Sequence, residues 1–234
     1  RLSPAPSIDY RKEQLTALKK ALLSHQDELV AALNKDYGQR AKQDSLLADI
    51  LPCVMNINYT LKRLKKWSKP QRRHAGLLLS PAKVTVHYQP LGVIGIMVPW
   101  NFPMILSIGP LIAALAAGNR AMIKLSAVIS SMLGSIFDDK TVAVIEGEAD
   151  VAATFSSLAF DHLVFTGSTT IGRHVMRAAA NNLTPVTLEL GGKSPVIIGN
   201  DMPIDTAVER LLFGKCSNAG QICVAPDYIF CPQD

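Results

Sequence analysis

Residues 91–124 of this 234-residue chain, LGVIGIMVPWNFPMILSIGPLIAALAAGNRAMIK, contain the pattern that decides the fold. No charged residue occurs in it before Arg120, so the stretch is long and apolar enough to be considered as a membrane span. It is interrupted by three prolines and an asparagine, Pro99, Asn101, Pro103 and Pro110. We therefore interpret it as a buried strand, a loop, a buried helix and a second strand of a soluble protein.

Strand and helix patterns continue to alternate downstream. Helices are predicted at residues 105–117, 130–137, 150–157 and 170–181, and strands at 91–98, 120–124, 141–146, 162–165 and 184–190. Strands that alternate with helices form right-handed crossovers and a parallel sheet covered on both faces. The predicted fold class is therefore α/β with a parallel sheet.

The chain upstream is predicted to be helical before it becomes extended. Apolar residues recur at helical spacing over about residues 9–35, and Gly38 is expected to close that segment. A second helical stretch covers about residues 45–67, and Pro52 is expected to kink it or divide it in two. Its predicted buried side consists of Leu47, Ile50, Leu51, Val54, Ile57, Leu61 and Leu64. Residues 83–89, KVTVHYQ, then alternate as a half-exposed strand does.

Composition limits the classes of function. Hydrophobic residues make up 48% of the chain and charged residues 18%, which favours a globular protein with a substantial core. The net charge is +5, and basic residues concentrate at residues 62–73, KRLKKWSKPQRR. Because no aromatic interleaving or nucleic-acid module accompanies this run, we interpret it as a solvated helix end and loop rather than a nucleic-acid site.

The cysteines and histidines predict neither a metal site nor a disulfide framework. The four cysteines form no C-x-x-C pair, and the five histidines show no H-x-H or H-x-x-x-H spacing. Reduced thiols of an intracellular protein fit this pattern better. The sequence begins with Arg1 and shows no signal-like apolar core, so we expect a cytoplasmic protein with no membrane partner.

Cys223 is the candidate nucleophile. It ends residues 218–223, NAGQIC, and so follows a glycine-containing loop rather than lying within an apolar run. A nucleophilic thiol must be reachable and must have its pKa lowered by backbone dipoles or nearby donors, and small residues permit both. The alternative is a buried structural cysteine, which we expect for Cys53 and Cys231, while nothing near Cys216 suggests a role.

Glu189 is the candidate general base. It lies in residues 186–193, VTLELGGK, where an apolar strand meets a glycine pair. Desolvation there would raise its pKa and suit the carboxylate to take a proton from water near neutral pH. The alternative is a strand-end glutamate that pairs with Lys193.

Two further stretches have the composition of ligand-binding loops. Residues 165–172, FTGSTTIG, join a predicted strand to a helix whose N–H groups would attract phosphate, although the G-x-G-x-x-G fingerprint is absent. A plain helix cap by Ser168 or Thr169 explains the same residues. In residues 99–103, PWNFP, the amide of Asn101 could hold an oxyanion, or it could form an Asx-turn.

Together these motifs resemble the aldehyde dehydrogenase superfamily. PWNFP, PLIAALAAGN at residues 110–119, IK at 123–124, FTGST, ELGGKSP and NAGQIC occur in the order expected of that family, along the whole chain. The APDY stretch at residues 225–228 resembles the branch with coniferyl and fatty aldehyde dehydrogenases. FDH at residues 160–162 favours the bacterial coniferyl aldehyde type.

The resemblance implies a role for each candidate residue. The Cys223 thiolate would attack the aldehyde, the Asn101 side chain and the Cys223 backbone N–H would hold the oxyanion, and Glu189 would activate the hydrolytic water. A nicotinamide cofactor would be bound by residues of the same cleft, namely Trp100, Lys124, Gly167, Ser168 and Gly172.

The resemblance also implies the domain organisation. A Rossmann-like NAD(P)-binding domain would comprise residues 1–188 and include a small bridging β element at about residues 74–90. The catalytic domain would begin at residues 189–234, and its larger part, with the E-x-F-G-P motif, lies outside this sequence. Relatives are usually dimers or tetramers, so a homodimer or homotetramer is expected.

One departure from the family pattern affects the cofactor site, and a second affects the helix that follows it. After Lys124 the family often has proline, a small residue and glutamate, whereas this chain has Leu125, Ser126 and Ala127. Without that glutamate a 2′-phosphate meets less repulsion, so we expect NAD with NADP also possible. The helix between Lys124 and Thr141 is also shorter than expected by roughly two turns.

The leading hypothesis is NAD(P)-dependent oxidation of an aromatic aldehyde, such as coniferyl aldehyde, or a medium-chain aldehyde to the acid. An acylating relative that passes the thioester to coenzyme A is a rival, and Glu189 counts against it. A rival from another class is an inactive remnant that binds only nucleotide or a partner chain.

Overall fold

The computed structural model describes residues 5–125 and 127–232. Two helical stretches precede the sheet. The first consists of α1 (Ile8–Ser24) and α2 (Gln26–Tyr37), and the second consists of α3 (Lys42–Ser45), a π-helical turn (Leu46–Ile50) and α4 (Leu51–Trp67). The predicted first helix is thus divided at His25, and its predicted end at Gly38 is confirmed. Arg1 and Ser126, on which part of the sequence argument depends, lie outside the described residues.

The buried side predicted for the second helical stretch is partly wrong. Leu47 and Leu51 are 64% and 45% exposed, while Cys53 and Thr60 occupy buried positions. The Leu51 N–H bonds to the carbonyl of Leu46, five residues back, and this π turn lies directly before Pro52. An additional residue in a turn rotates the helix faces on either side, which a constant 3.6-residue period does not anticipate.

The predicted alternation of strands and helices is confirmed. It runs through β3 (Val93–Met97), α5 (Pro103–Ala117), β4 (Arg120–Lys124), α6 (Ala127–Gly134), β5 (Val142–Ile145), α7 (Ala149–Ser156), β6 (His162–Gly167), α8 (Thr169–Ala180) and β7 (Val186–Leu190). The five strands form one parallel sheet in the order β5-β4-β3-β6-β7. As expected for an α/β fold, both faces are covered.

The two faces of the sheet have separate apolar cores. On one face, the leucines and isoleucines of α1, α4 and α5 pack with β3 and β4, and Leu15, Ile57, Ile96 and Leu111 are all fully buried. On the other face, α7 and α8 pack on β6, where Phe155 and Phe160 are in aromatic contact with ring centroids 4.9 Å apart. Together the cores bury the central strands on both sides, which explains why β3 is almost uniformly apolar.

Short elements outside the main sheet complete the described chain. β1 (Gln71–Arg73) and β2 (Val84–Val86) pair antiparallel near the predicted bridging element. After β7 the chain forms β8 (Ser194–Ile197), α9 (Ile204–Cys216), a 3₁₀ turn (Ser217–Gly220) and β9 (Pro226–Phe230), and β8 pairs parallel with β9 in a separate sheet. Within the described residues, no helix has the length and apolarity that crossing a membrane requires.

Candidate active site

The predicted cofactor residues lie at the carboxyl ends of three adjacent strands. Trp100 follows β3, Lys124 ends β4 and Gly167 ends β6, while Ser168 and Gly172 lie just beyond β6, at the N-cap and in the first turn of α8. After β3 the chain proceeds to one side of the sheet through β4 and β5, and then returns to β6 on the other side of β3. The β3–β6 boundary is therefore a topological switch point, where open parallel sheets leave a crevice for ligands.

The start of α8 has the geometry of a close helix–strand junction. Ser168 caps the helix by accepting the Ile171 N–H at 3.3 Å, as the simple-cap alternative anticipated. A Cβ on Gly172 would lie 2.8 Å from the Leu190 side chain, and one on Gly167 would lie 2.6 Å from the Phe165 ring. A larger residue at position 172 would have to displace the end of the Leu190 side chain, so glycine permits the close approach of α8 to β7. The N-terminus of a helix at this place suits a phosphate that accepts backbone N–H groups.

Asn101 is joined to the loop that carries Cys223. Its Nδ2 donates to the carbonyl oxygen of Gln221 at 2.9 Å, across 120 residues of sequence. In return, Asn218 Nδ2 donates to the carbonyl oxygen of Asn101 at 3.1 Å. The loop reaches this position through left-handed backbone at Asn218 and Ala219, with φ of 49° and 55°. The structure therefore joins Asn101 to the loop that precedes Cys223.

Cys223 is exposed, which meets the requirement that a nucleophilic thiol be reachable. The fully buried cysteine is Cys53, where burial raises the pKa of the thiol to about 12 and Sγ donates to the carbonyl of Asp49 at 3.1 Å. The expectation that Cys231 is buried is wrong, because it follows a two-stranded sheet whose strand β9 is exposed along most of its length.

The burial expected for Glu189 is not found. The Glu189 side chain is exposed, because β7 is an edge strand of the sheet. The residues along β7 alternate between half-buried and exposed, and Glu189 is at an exposed position. The desolvation invoked from sequence is therefore absent among the described residues. The alternative partner, Lys193, forms its ion pair with Asp227 at 3.2 Å. In register Glu189 lies opposite Thr166, the residue before Gly167.

A large cleft adjoins these elements. It has a volume of about 1270 Å³, and its lining includes Tyr37, Trp100, Lys124, Glu146 and Asn218. That volume exceeds the range of roughly 300–1,000 Å³ typical of pockets for drug-sized ligands. Of the five predicted cofactor residues, Trp100 and Lys124 line the cleft.

Sequence reasoning missed a buried ion pair beside the cleft. Arg40 Nη1 lies 2.8 Å from Asp49 Oδ2, and the two side chains are 4% and 0% exposed. Asp49 Oδ1 also accepts the N–H of Ile105 in the first turn of α5. Burial raises the pKa of Asp49, and the guanidinium of Arg40 opposes that rise. Arginine and aspartate nine positions apart form no recognisable motif, so the sequence offered no signal for this pair.

The Arg40 guanidinium also packs between two aromatic rings. Its Cζ lies 5.0 Å from the ring centroid of Tyr37 and 5.1 Å from that of Phe102. The residues of the PWNFP loop are thereby tied to the end of α2.

Residues 5–234 match the model of the aldehyde dehydrogenase family. The chain belongs to this family. It is 52% identical to a probable coniferyl aldehyde dehydrogenase of Pseudomonas aeruginosa, over 98% of this chain and 50% of that protein.

Solved structures agree with the family assignment. The substrate-bound AldH of Staphylococcus aureus matches with a TM-score of 0.93 and 41% identity, over 97% of this chain and 51% of that chain. The NAD⁺ complex of an aldehyde dehydrogenase from Bacillus cereus matches with a TM-score of 0.86 and 29% identity, over 97% and 48%. The chain thus spans about half the length of the relatives it matches.

Proposed function

We propose that the full natural polypeptide carrying this sequence oxidises an aldehyde to the carboxylic acid with a nicotinamide cofactor. The observation that carries the proposal is the bond from Asn101 Nδ2 to the carbonyl of Gln221, two residues before an exposed Cys223. It joins the loop with the candidate amide donor to the loop with a reachable thiol, and acyl chemistry on a cysteine requires such a donor and such a thiol. The similarity to a probable coniferyl aldehyde dehydrogenase supports an aromatic aldehyde of that kind as substrate.

Cys223, Asn101 and Glu189 have different roles in the proposed reaction. The Cys223 thiolate attacks the carbonyl carbon and forms a thiohemiacetal. An amide has two hydrogens, so Asn101 can donate one to Gln221 and the other to the developing oxyanion, together with the Cys223 backbone N–H. When bound in the cleft, a nicotinamide cofactor would supply the oxidation as the hydride acceptor. Glu189 then takes a proton from the water that hydrolyses the Cys223 thioester, which releases the acid and restores the thiol.

The cofactor is proposed to lie across the carboxyl edge of the sheet. Gly167, Ser168 and Gly172 would meet the pyrophosphate, Lys124 the adenosine ribose, and Trp100 the wall of the same cleft. Glu146 follows β5 and lines the cleft, and its neighbour Ile145 is in register with Lys124, so its carboxylate would meet the same ribose. A carboxylate there accepts a ribose hydroxyl and repels a 2′-phosphate, which favours NAD over NADP.

The domain boundary is proposed near residue 188. β7 is the last strand of the five-stranded sheet, and β8 pairs with β9 in a sheet of its own. Residues 1–188 would then form the cofactor domain with its bridging hairpin, and residues 189–234 the beginning of the catalytic domain. A cytoplasmic homodimer or homotetramer stays a prediction.

The test compares NAD(P)H formation from coniferyl aldehyde by the full polypeptide and its Cys223→Ala variant, with Cys231→Ala as control. We expect Cys223→Ala to lose activity and Cys231→Ala to keep it, because only Cys223 follows the loop to which Asn101 is bonded. Activity that survives in Cys223→Ala would contradict the mechanism. A product that requires coenzyme A would identify an acylating enzyme, and cofactor binding without oxidation would identify a nucleotide-binding remnant.

A further inference from the structure

The peptide groups on both sides of Asn101 are held by side chains from distant parts of the chain. Tyr37, the last residue of α2, donates its hydroxyl hydrogen to the carbonyl of Trp100 at 2.5 Å. Asn218 donates to the carbonyl of Asn101 itself at 3.1 Å. Because the orientation of a peptide group determines where the adjoining side chain projects, these two bonds restrict the direction of the Asn101 amide.

Tyr37 is itself firmly placed. Its ring lies 6.3 Å from the Trp100 ring, centroid to centroid, and Arg40 Cζ lies over its face. Burial raises the pKa of Tyr37, with a smaller opposing effect from Arg40, so the hydroxyl remains a hydrogen-bond donor at neutral and mildly alkaline pH. The phenol therefore connects the N-terminal helices to the loop that carries the oxyanion donor.

We propose that Tyr37 is a positioning residue for Asn101: its hydroxyl holds the Trp100–Asn101 peptide so that the Asn101 amide faces the oxyanion formed at Cys223. This proposal rests on the proposed aldehyde oxidation. An effect of this kind is specific to the transition state, because the oxyanion exists only after the thiolate has attacked.

Tyr37→Phe removes the hydroxyl and keeps the ring, and it is compared with Tyr59→Phe in the full polypeptide. Tyr59 is a suitable control because it is 55% exposed on α4 and also contacts a tryptophan and an arginine. We expect Tyr37→Phe to lower kcat by about 10- to 100-fold, somewhat less than loss of an oxyanion donor itself. The alkylation rate of Cys223 by iodoacetamide should stay within about twofold, because it does not depend on the oxyanion.

A double variant separates positioning from general stabilisation. If Tyr37 acts only through Asn101, Tyr37→Phe adds no further loss of kcat to Asn101→Ala. Losses that multiply in the double variant would overturn the proposal, and so would equal kcat values for Tyr37→Phe and wild type.

Hydrogen exchange gives a readout that is independent of catalysis. Faster amide exchange over residues 98–106 in Tyr37→Phe than in wild type and Tyr59→Phe is the expected result, and unchanged exchange would overturn the positioning role. A wild-type protein that oxidises no aldehyde would instead refute the proposed function, and the exchange experiment would still decide how the loop is held.

Discussion

The buried Arg40–Asp49 pair offers the sharpest test of how the active-site loop is supported. Removing one partner leaves the other charge unpaired in a place that water does not reach, since the two side chains are 4% and 0% exposed. Breaking such a pair costs about 3–5 kcal/mol. At about 2–4 °C per kcal/mol for a chain of this size, Arg40→Met or Asp49→Asn should each lower Tm by about 6–20 °C.

The double variant Arg40→Met/Asp49→Asn should lose less than the sum of the two single losses. Neither charge remains, and the asparagine oxygen can still accept the Ile105 N–H that Asp49 accepts at 3.2 Å. We expect a coupling energy of about 1–3 kcal/mol between the two sites. It is measured from denaturant unfolding of wild type, both single variants and the double variant.

The stability of Arg40→Met should depend on pH in a direction that the pKa of Asp49 determines. Burial raises the pKa of Asp49, and in Arg40→Met the opposing effect of the guanidinium is gone. A carboxyl whose folded pKa is raised contributes stability when protonated and loses it as pH rises through the folded pKa. The deficit of Arg40→Met relative to wild type should therefore shrink as the pH falls below neutral. Additive losses in the double variant, or a deficit independent of pH, would refute the assignment of a charge-paired, desolvated carboxylate.

Three further predictions concern separate parts of the molecule. Cys53 should react with Ellman's reagent only after unfolding, so unfolding should expose one thiol fewer in Cys53→Ala than in wild type. Because burial raises the pKa of that thiol from 9.0 to about 12, the unfolding free energy of wild type should fall as pH rises above 9, and Cys53→Ala should weaken that dependence. Glu146→Ser should strengthen binding of 2′-phospho-ADP-ribose relative to ADP-ribose by about tenfold in calorimetry, and an unchanged ratio would contradict the proposed ribose contact. Gly172→Ala should lower Tm and weaken ADP-ribose binding, because the new Cβ would lie 2.8 Å from the Leu190 side chain. A variant that behaves as wild type would show that α8 and Leu190 accommodate the added methyl group without cost.

Much of the site depended on packing that the sequence does not display. Cys53 and Cys231 both lie beside apolar neighbours, yet one is fully buried and the other exposed, since α4 packs into the core while β9 belongs to a small separate sheet. Glu189 likewise reads as a buried carboxylate from its apolar neighbours, although its strand is at an edge of the sheet. Local composition indicates the character of a segment, but exposure depends on what else packs against it.

The sequence by itself determined the alternation of helices and strands, the parallel sheet and the order of the family motifs. These depend on periodicity and on short loops, where the informative residues are neighbours in the chain. Only the tertiary structure decided that Asn101 reaches Gln221 across 120 residues, that Tyr37 and Asn218 hold the same loop, and that Arg40 and Asp49 are buried together. Such contacts form because packed helices and a curved loop bring distant residues within hydrogen-bonding distance, and no local pattern records that packing.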